Sequence, residues 1–149
     1  MSDSQSQWLV ELFERDLNRL IVELEQFKTE QELWKRPEGI NNCAGNLFLH
    51  LCGNLQHFVG HVIGKTDYIR HREKEFSDKN VPYPEIKNQI KETTAVVIQV
   101  LNTLTQDDLD QIYPLEMWGK SFSTGFFLIH LHSHLNYHLG QINYYRRLL

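Results

Sequence analysis

Residues 123–149 read STGFFLIHLHSHLNYHLGQINYYRRLL. Phe127, Leu131, Leu135, Ile142 and Tyr145 recur at steps of three, four and seven residues, which is the apolar stripe of an amphipathic helix. Ser123 or Thr124 starts it, and Arg146 and Arg147 suit the negative end of its dipole. Three more stripes lie upstream. From residue 8 to about 28, Leu9, Leu12, Phe13, Leu17, Leu20, Ile21, Leu24 and Phe27 keep the same rhythm with charges between them, so Glu and Lys residues here read as a solvated face. Pro37, Gly39 and Asn41-Asn42 interrupt it, and Asn42 is the expected cap of a second helix from Cys43 to about Gly64. The stripe of that helix is Leu47, His50, Leu51, Asn54, Phe58, His61 and Val62, so imidazoles and an amide sit on an otherwise apolar face.

Residues 65–81 are polar and charged. Pro82 and Pro84 then introduce a third helix with Ile86, Ile90, Val97, Leu101 and Leu104 on one side. Thr105 with Asp107 and Asp108 predicts a capped short helix reaching about Tyr113, followed by a loop over residues 114–120. No strand alternation, repeat or low-complexity tract interrupts these elements. Four amphipathic helices bury their stripes by packing together, so the expected fold is an all-α four-helix bundle forming one domain over residues 1–149. A chain of 149 residues is long enough for such a core without disulfides.

Bulk properties narrow the function. Hydrophobic residues make up 41% and charged residues 23% of the chain, the usage of an ordinary globular domain. The net charge of -4, without a Lys/Arg cluster, argues against nucleic acid as a partner. No apolar run approaches the roughly 18 residues that span a bilayer, and the amino terminus has no secretory pattern, so no membrane partner and a cytoplasmic location are expected. Cys43 and Cys52 match no CxxC-type pattern and read as reduced core thiols.

The histidines carry the chemistry. A four-residue step turns a helical side chain by only about 40° and lifts it by about 6 Å, so His134 and His138 can hold one ion together. His50 is the best third ligand, because it sits among Leu47, Leu51 and Gly53 on a face turned inward, where an unpaired imidazole is costly. His57 and His61 form another pair about 10 Å or more along the axis and read as structural or surface residues. His130 is the rival on the last helix. His132 is rotated by about 200° from His134 and faces elsewhere, His71 lies in the polar link, and Cys52 is turned away from His50. No Ser/His/Asp, P-loop or glycine-rich nucleotide signature accompanies them.

NLFLHLCGNL around His50, with Ala44-Gly45-Asn46 before it, and HLNYHLGQINYYRR around His134 and His138, with Gly140-Gln141-Ile142, resemble the DinB-like and YfiT-like metalloenzyme family. The resemblance covers nearly the whole chain. It implies an up-down-down-up bundle, with the long crossover of residues 65–81 between helices two and three, and a homodimer. It also implies one divalent metal ion, zinc, nickel or iron, on His50, His134 and His138. The activities of the wider superfamily centre on low-molecular-weight thiols: bacillithiol S-transfer, mycothiol-dependent isomerisation and related glutathione chemistry. The function expected on this basis is a thiol S-transferase whose partners are a small-molecule thiol and an electrophile. A metal-dependent hydrolase, a non-catalytic metal-binding protein and a plain interaction bundle are the alternatives. Asn54 and Gln141 are expected beside the site, as ligand-orienting or packing residues, and the loop with Trp118 as its roof.

Overall fold

A computed structural model describes residues 4–149, and every regular element in it is helical. Helix α1 spans Gln5–Glu25, α2 spans Ala44–Leu55, α3 Arg72–Ser77, α4 Tyr83–Thr103, α5 Gln106–Asp110 and α6 Thr124–Leu148. A 3₁₀ turn at Glu30–Trp34 precedes α2, and a π-helical turn at Gln56–His61 continues it. Among the described residues there are isolated β-bridges, Ile112 with Ser123 and Met117 with Lys120, but no strand. Among the described residues no helix is long and apolar enough to cross a membrane.

Local chemistry sets the helix ends. The Ser4 side chain accepts from the Gln7 N–H at the start of α1, and Ser123 accepts from Phe126 at the start of α6. Pro84 stands in the first turn of α4, where its missing N–H has no partner to lose. Thr105 and Asp108 form the reciprocal capping box expected for α5. Asn42 does not cap α2. That helix starts at Ala44, so its cap position falls to Cys43, whose side chain makes no capping bond.

Helices α1 and α2 each pack against both α4 and α6. Contacting pairs fix the directions. Asp16 meets Asn136 and Glu23 meets Arg146, so α1 and α6 run parallel. Phe58 meets Phe127 edge-on while His50 meets His134, so α2 and the turn that continues it run against α6. Lys87 bonds Glu25, at the start of α4 and the end of α1, so those two are antiparallel. The core lies where the stripes converge, with Phe13, Leu20, Phe48, Leu51, Ile90 and Leu135 essentially without solvent contact. Each such side chain contributes about 1.5–3 kcal/mol by leaving water.

Helix α2 differs from the others because all of its residues are buried, polar ones included. Gly45 lets the Trp34 ring lie against it, since a Cβ there would come within 2.8 Å of the ring carbons. The π turn rests on wide bonds such as Val62 N–H to His57 C=O at 2.9 Å and Gly64 N–H to Val59 C=O at 3.0 Å. The Tyr113 hydroxyl donates to the Phe58 carbonyl in this turn at 2.7 Å. The link between α2 and α4 is polar as expected, but it also contains α3, which packs on α2.

Candidate metal centre

His50 projects from the middle of α2 and His134 and His138 from successive turns of α6. The bundle closes these two helices on each other, and a ring nitrogen of each histidine lies within 4.8 Å of the others. His134 Nε2 is 3.2 Å from His50 Nε2 and 3.2 Å from His138 Nε2. The rings stand nearly perpendicular, at 76°, 90° and 85° to one another. They form a tripod whose nitrogens point inward.

The outer nitrogens show which inner ones are free. Glu75 of α3 is buried, which by itself pushes its carboxyl up, yet hydrogen bonds from His50 and Arg70 and the guanidinium charge outweigh this and hold it below its ordinary value. Being ionised, Glu75 Oε1 can only accept, so His50 Nδ1–H donates to it at 3.0 Å, which in the neutral ring leaves Nε2 with the lone pair. His138 Nδ1–H likewise donates to Gln141 Oε1 at 2.7 Å, leaving its own Nε2 as a lone pair. Burial, reinforced by His138 and His50, pushes His134 down to about 3. Burial also lowers His138. His134 is therefore neutral near pH 7. Its Nδ1 is buried and has no hydrogen-bond partner among the described residues.

A divalent cation fits this donor set. Two lone pairs, on His50 and His138, face one nitrogen that can carry at most one proton, so hydrogen bonding alone cannot satisfy both contacts well. Ligands at ~2.0–2.1 Å in a tetrahedral sphere sit ~3.3 Å apart, close to the two 3.2 Å separations. Three neutral imidazoles also leave a coordination position for an exogenous ligand.

The other histidines are placed apart from this tripod. His132 turns to α1, where its Nε2 meets the fully buried Asp16 at 2.7 Å beside Asn136. His57 and His61 stack on each other in the π turn with ring centres 6.0 Å apart, and His61 Nδ1 donates to the Thr66 carbonyl. His130, the rival ligand, packs against Phe127 and Trp118. Trp118 thus stands over the turn before His134, and its ring is largely exposed. His71 is exposed just before α3. Burial pushes the Cys52 thiol up to about 12, against a hydrogen bond with Thr93, so it is no thiolate donor. Asn54, one turn beyond His50, is buried, and its Oδ1 has no hydrogen-bond partner among the described residues. Sequence reasoning missed Glu75 and Arg70. The signal that pointed to them is Gly53, where any Cβ would overlap the Glu75 carboxylate.

The chain belongs to the DinB superfamily, whose model matches residues 12–142. Two solved structures share its fold. One is a DinB-like protein from Bacillus cereus, 19% identical, with a TM-score of 0.69 over 89% of this chain and 85% of that one. The other is a conserved protein from Enterococcus faecalis, 17% identical, with a TM-score of 0.68 over 96% of this chain and 95% of that one. At such identities the likeness speaks for the fold alone. No curated protein matches the chain.

Proposed function

We propose that this protein binds one divalent metal ion through His50, His134 and His138 and uses it to transfer a low-molecular-weight thiol to an electrophilic carbon. The observation that carries the reading is the convergence of three imidazole nitrogens, two of them held as lone-pair donors by Glu75 and Gln141. A bound ion would supply Lewis acidity, lowering the pKa of a thiol or water at its open position. The chain's own residues do the rest. Glu75 and Gln141 orient two imidazoles, burial keeps His134 and His138 from competing protons, and the Asn54 Oδ1, unpartnered among the described residues, is available to a substrate donor.

Thiol chemistry is favoured over hydrolysis by the carboxylates. Glu75 is the acidic residue bonded to the tripod, and both of its oxygens are taken by His50 and Arg70. It is not free to act as a base. A thiol, with a pKa near 8.5, needs little help to ionise at neutral pH, whereas water, near 15.7, needs much more. In the transfer, a carbon–sulfur bond forms as the bond from that carbon to its leaving group breaks, and the thiol proton passes to solvent.

Elemental analysis of protein purified without a histidine tag tests the site. About one metal ion per chain is expected in the wild type and none in His134→Ala. Thiol consumption is then followed with zinc, nickel or iron restored, and mass spectrometry reads the S-alkylated product. Absence of metal, with no uptake of added zinc or nickel, overturns the proposal. Metal-dependent ester or amide cleavage without thiol consumption replaces the transferase by a hydrolase.

A further inference from the structure

Asn46, His50 and Gly53 follow one another on α2 at steps of four and three residues, and all three meet the short helix α3. The buried Asn46 Nδ2 donates to the carbonyls of Glu75 and Asp78, at 2.9 Å each, and its Oδ1 accepts from Lys79 Nζ. Gly53 provides the gap into which the Glu75 carboxylate enters; a Cβ would lie only 2.6 Å from Glu75 Cδ. Between them His50 Nδ1–H donates to Glu75 Oε1. From the other side Arg70 clamps the carboxylate with two hydrogen bonds, Nε to Oε2 and Nη2 to Oε1, both 2.9 Å. Phe76, the next residue of α3, packs its ring 4.9 Å from that of His50.

A buried carboxylate is costly to place, and helix-to-helix anchoring alone does not require one, because Asn46 already holds the carbonyls of Glu75 in α3 and of Asp78 just after it. What the carboxylate adds is control of His50: it fixes the ring's rotation and keeps the proton on Nδ1. A carboxylate behind a metal-binding imidazole characteristically orients the ring and raises its basicity. We propose that Glu75, braced by Arg70, is a positioning residue that sets the affinity and geometry of the metal centre, so that the 65–81 crossover is a working part of that centre. This rests on the metal reading above.

The test measures zinc affinity by competition with a chromophoric chelator, together with the visible spectrum of the cobalt(II)-loaded protein, for the wild type, Glu75→Gln, and Glu73→Gln as an exposed control on the same helix. Circular dichroism confirms that each is folded. Glu75→Gln is expected to weaken zinc binding about 10- to 100-fold and to change the cobalt spectrum, while Glu73→Gln alters neither. If Glu75 merely pins α3, the folded Glu75→Gln protein melts at a lower temperature but keeps the wild-type affinity and spectrum, which overturns the inference while leaving the metal site standing. Wild-type protein that binds neither ion overturns the metal reading itself. Should Glu75→Gln not fold, Arg70→Lys decides instead: it keeps the charge but loses the planar fork, and a loss of affinity with an altered cobalt spectrum supports the role of the braced carboxylate, while unchanged values overturn it.

Discussion

Asp16→Asn is the substitution that best measures the polar contact between α1 and α6. Asp16 is 0% exposed and receives hydrogen bonds from Arg15, Arg19, His132 and Asn136. Burial pushes its carboxyl up, but the hydrogen bonds from Arg15, Asn136 and His132 and the Arg15 charge prevail and bring it from 3.8 down to about 2. A displacement of that size is worth at most ~2.4 kcal/mol of stability at neutral pH. The Arg15 and Arg19 side chains are 51% and 59% exposed, and solvent screening of such pairs reduces the figure to roughly 1–2 kcal/mol. Because the folded protein holds this carboxyl ionised more strongly than the unfolded chain does, the contribution is complete above about pH 5 and is lost as pH falls through about 2. Nearly half of it should be gone by about pH 3. Urea unfolding of the wild type and Asp16→Asn at pH 7 and pH 3 supplies the comparison, since other titrating groups largely cancel in the difference. The stability gap should narrow by about 0.5–1 kcal/mol between the two pH values. A gap that stays constant or widens on acidification would refute the account of Asp16 as an ion held by its partners.

Tyr113→Phe should destabilise the fold by about 1–2 kcal/mol, because it removes the donor to the Phe58 carbonyl in the π turn; denaturant melts that match the wild type would contradict this. In metal-free protein, His134 is held neutral by burial, with His138 and His50 beside it, at a pKa of about 3 against 6.5 in an ordinary setting. The unfolded chain therefore takes up the proton first, and stability should fall as pH drops from 7 to 5. Chelator-treated wild type should lose more of its urea midpoint over that range than His134→Ala, and equal losses would count against the burial of a neutral His134.

Much of the bundle is legible in the sequence because its four long helices carry regular apolar stripes, and the Thr105 capping box is a local pattern. The opposed facings of His132 and His134 likewise follow from helix geometry, and the structure sends them to Asp16 and to the tripod respectively. Asp16 itself is not legible: a lone acid on a helix with many charges looks solvated until the partners on α6 are known. Glu75 and Arg70 are hidden for a related reason. They lie in a charged link whose composition signals exposure, and what buries them is the gap at Gly53, 22 residues from Glu75 in the chain. The π turn escapes because its start at Gln56 interrupts no hydrophobic rhythm; helix two does continue past Leu55, but with a wider hydrogen-bond ladder and only to His61, residues 62–64 being a turn. Asn42 lies one place outside the cap position, an error of register that propensity alone does not resolve.

The burial of α2 on every side bears on how the chain is made. A helix with no outward face has no stable resting place in water until its covering helices exist. The last of these, α6, begins at Thr124, whereas α2 ends at Leu55. At ribosomal rates of about 5–20 residues per second, the apolar surface of α2 waits several seconds before α6 can emerge to cover it. During that interval this surface stays uncovered, and the three histidines can meet only once α6 has docked on α2.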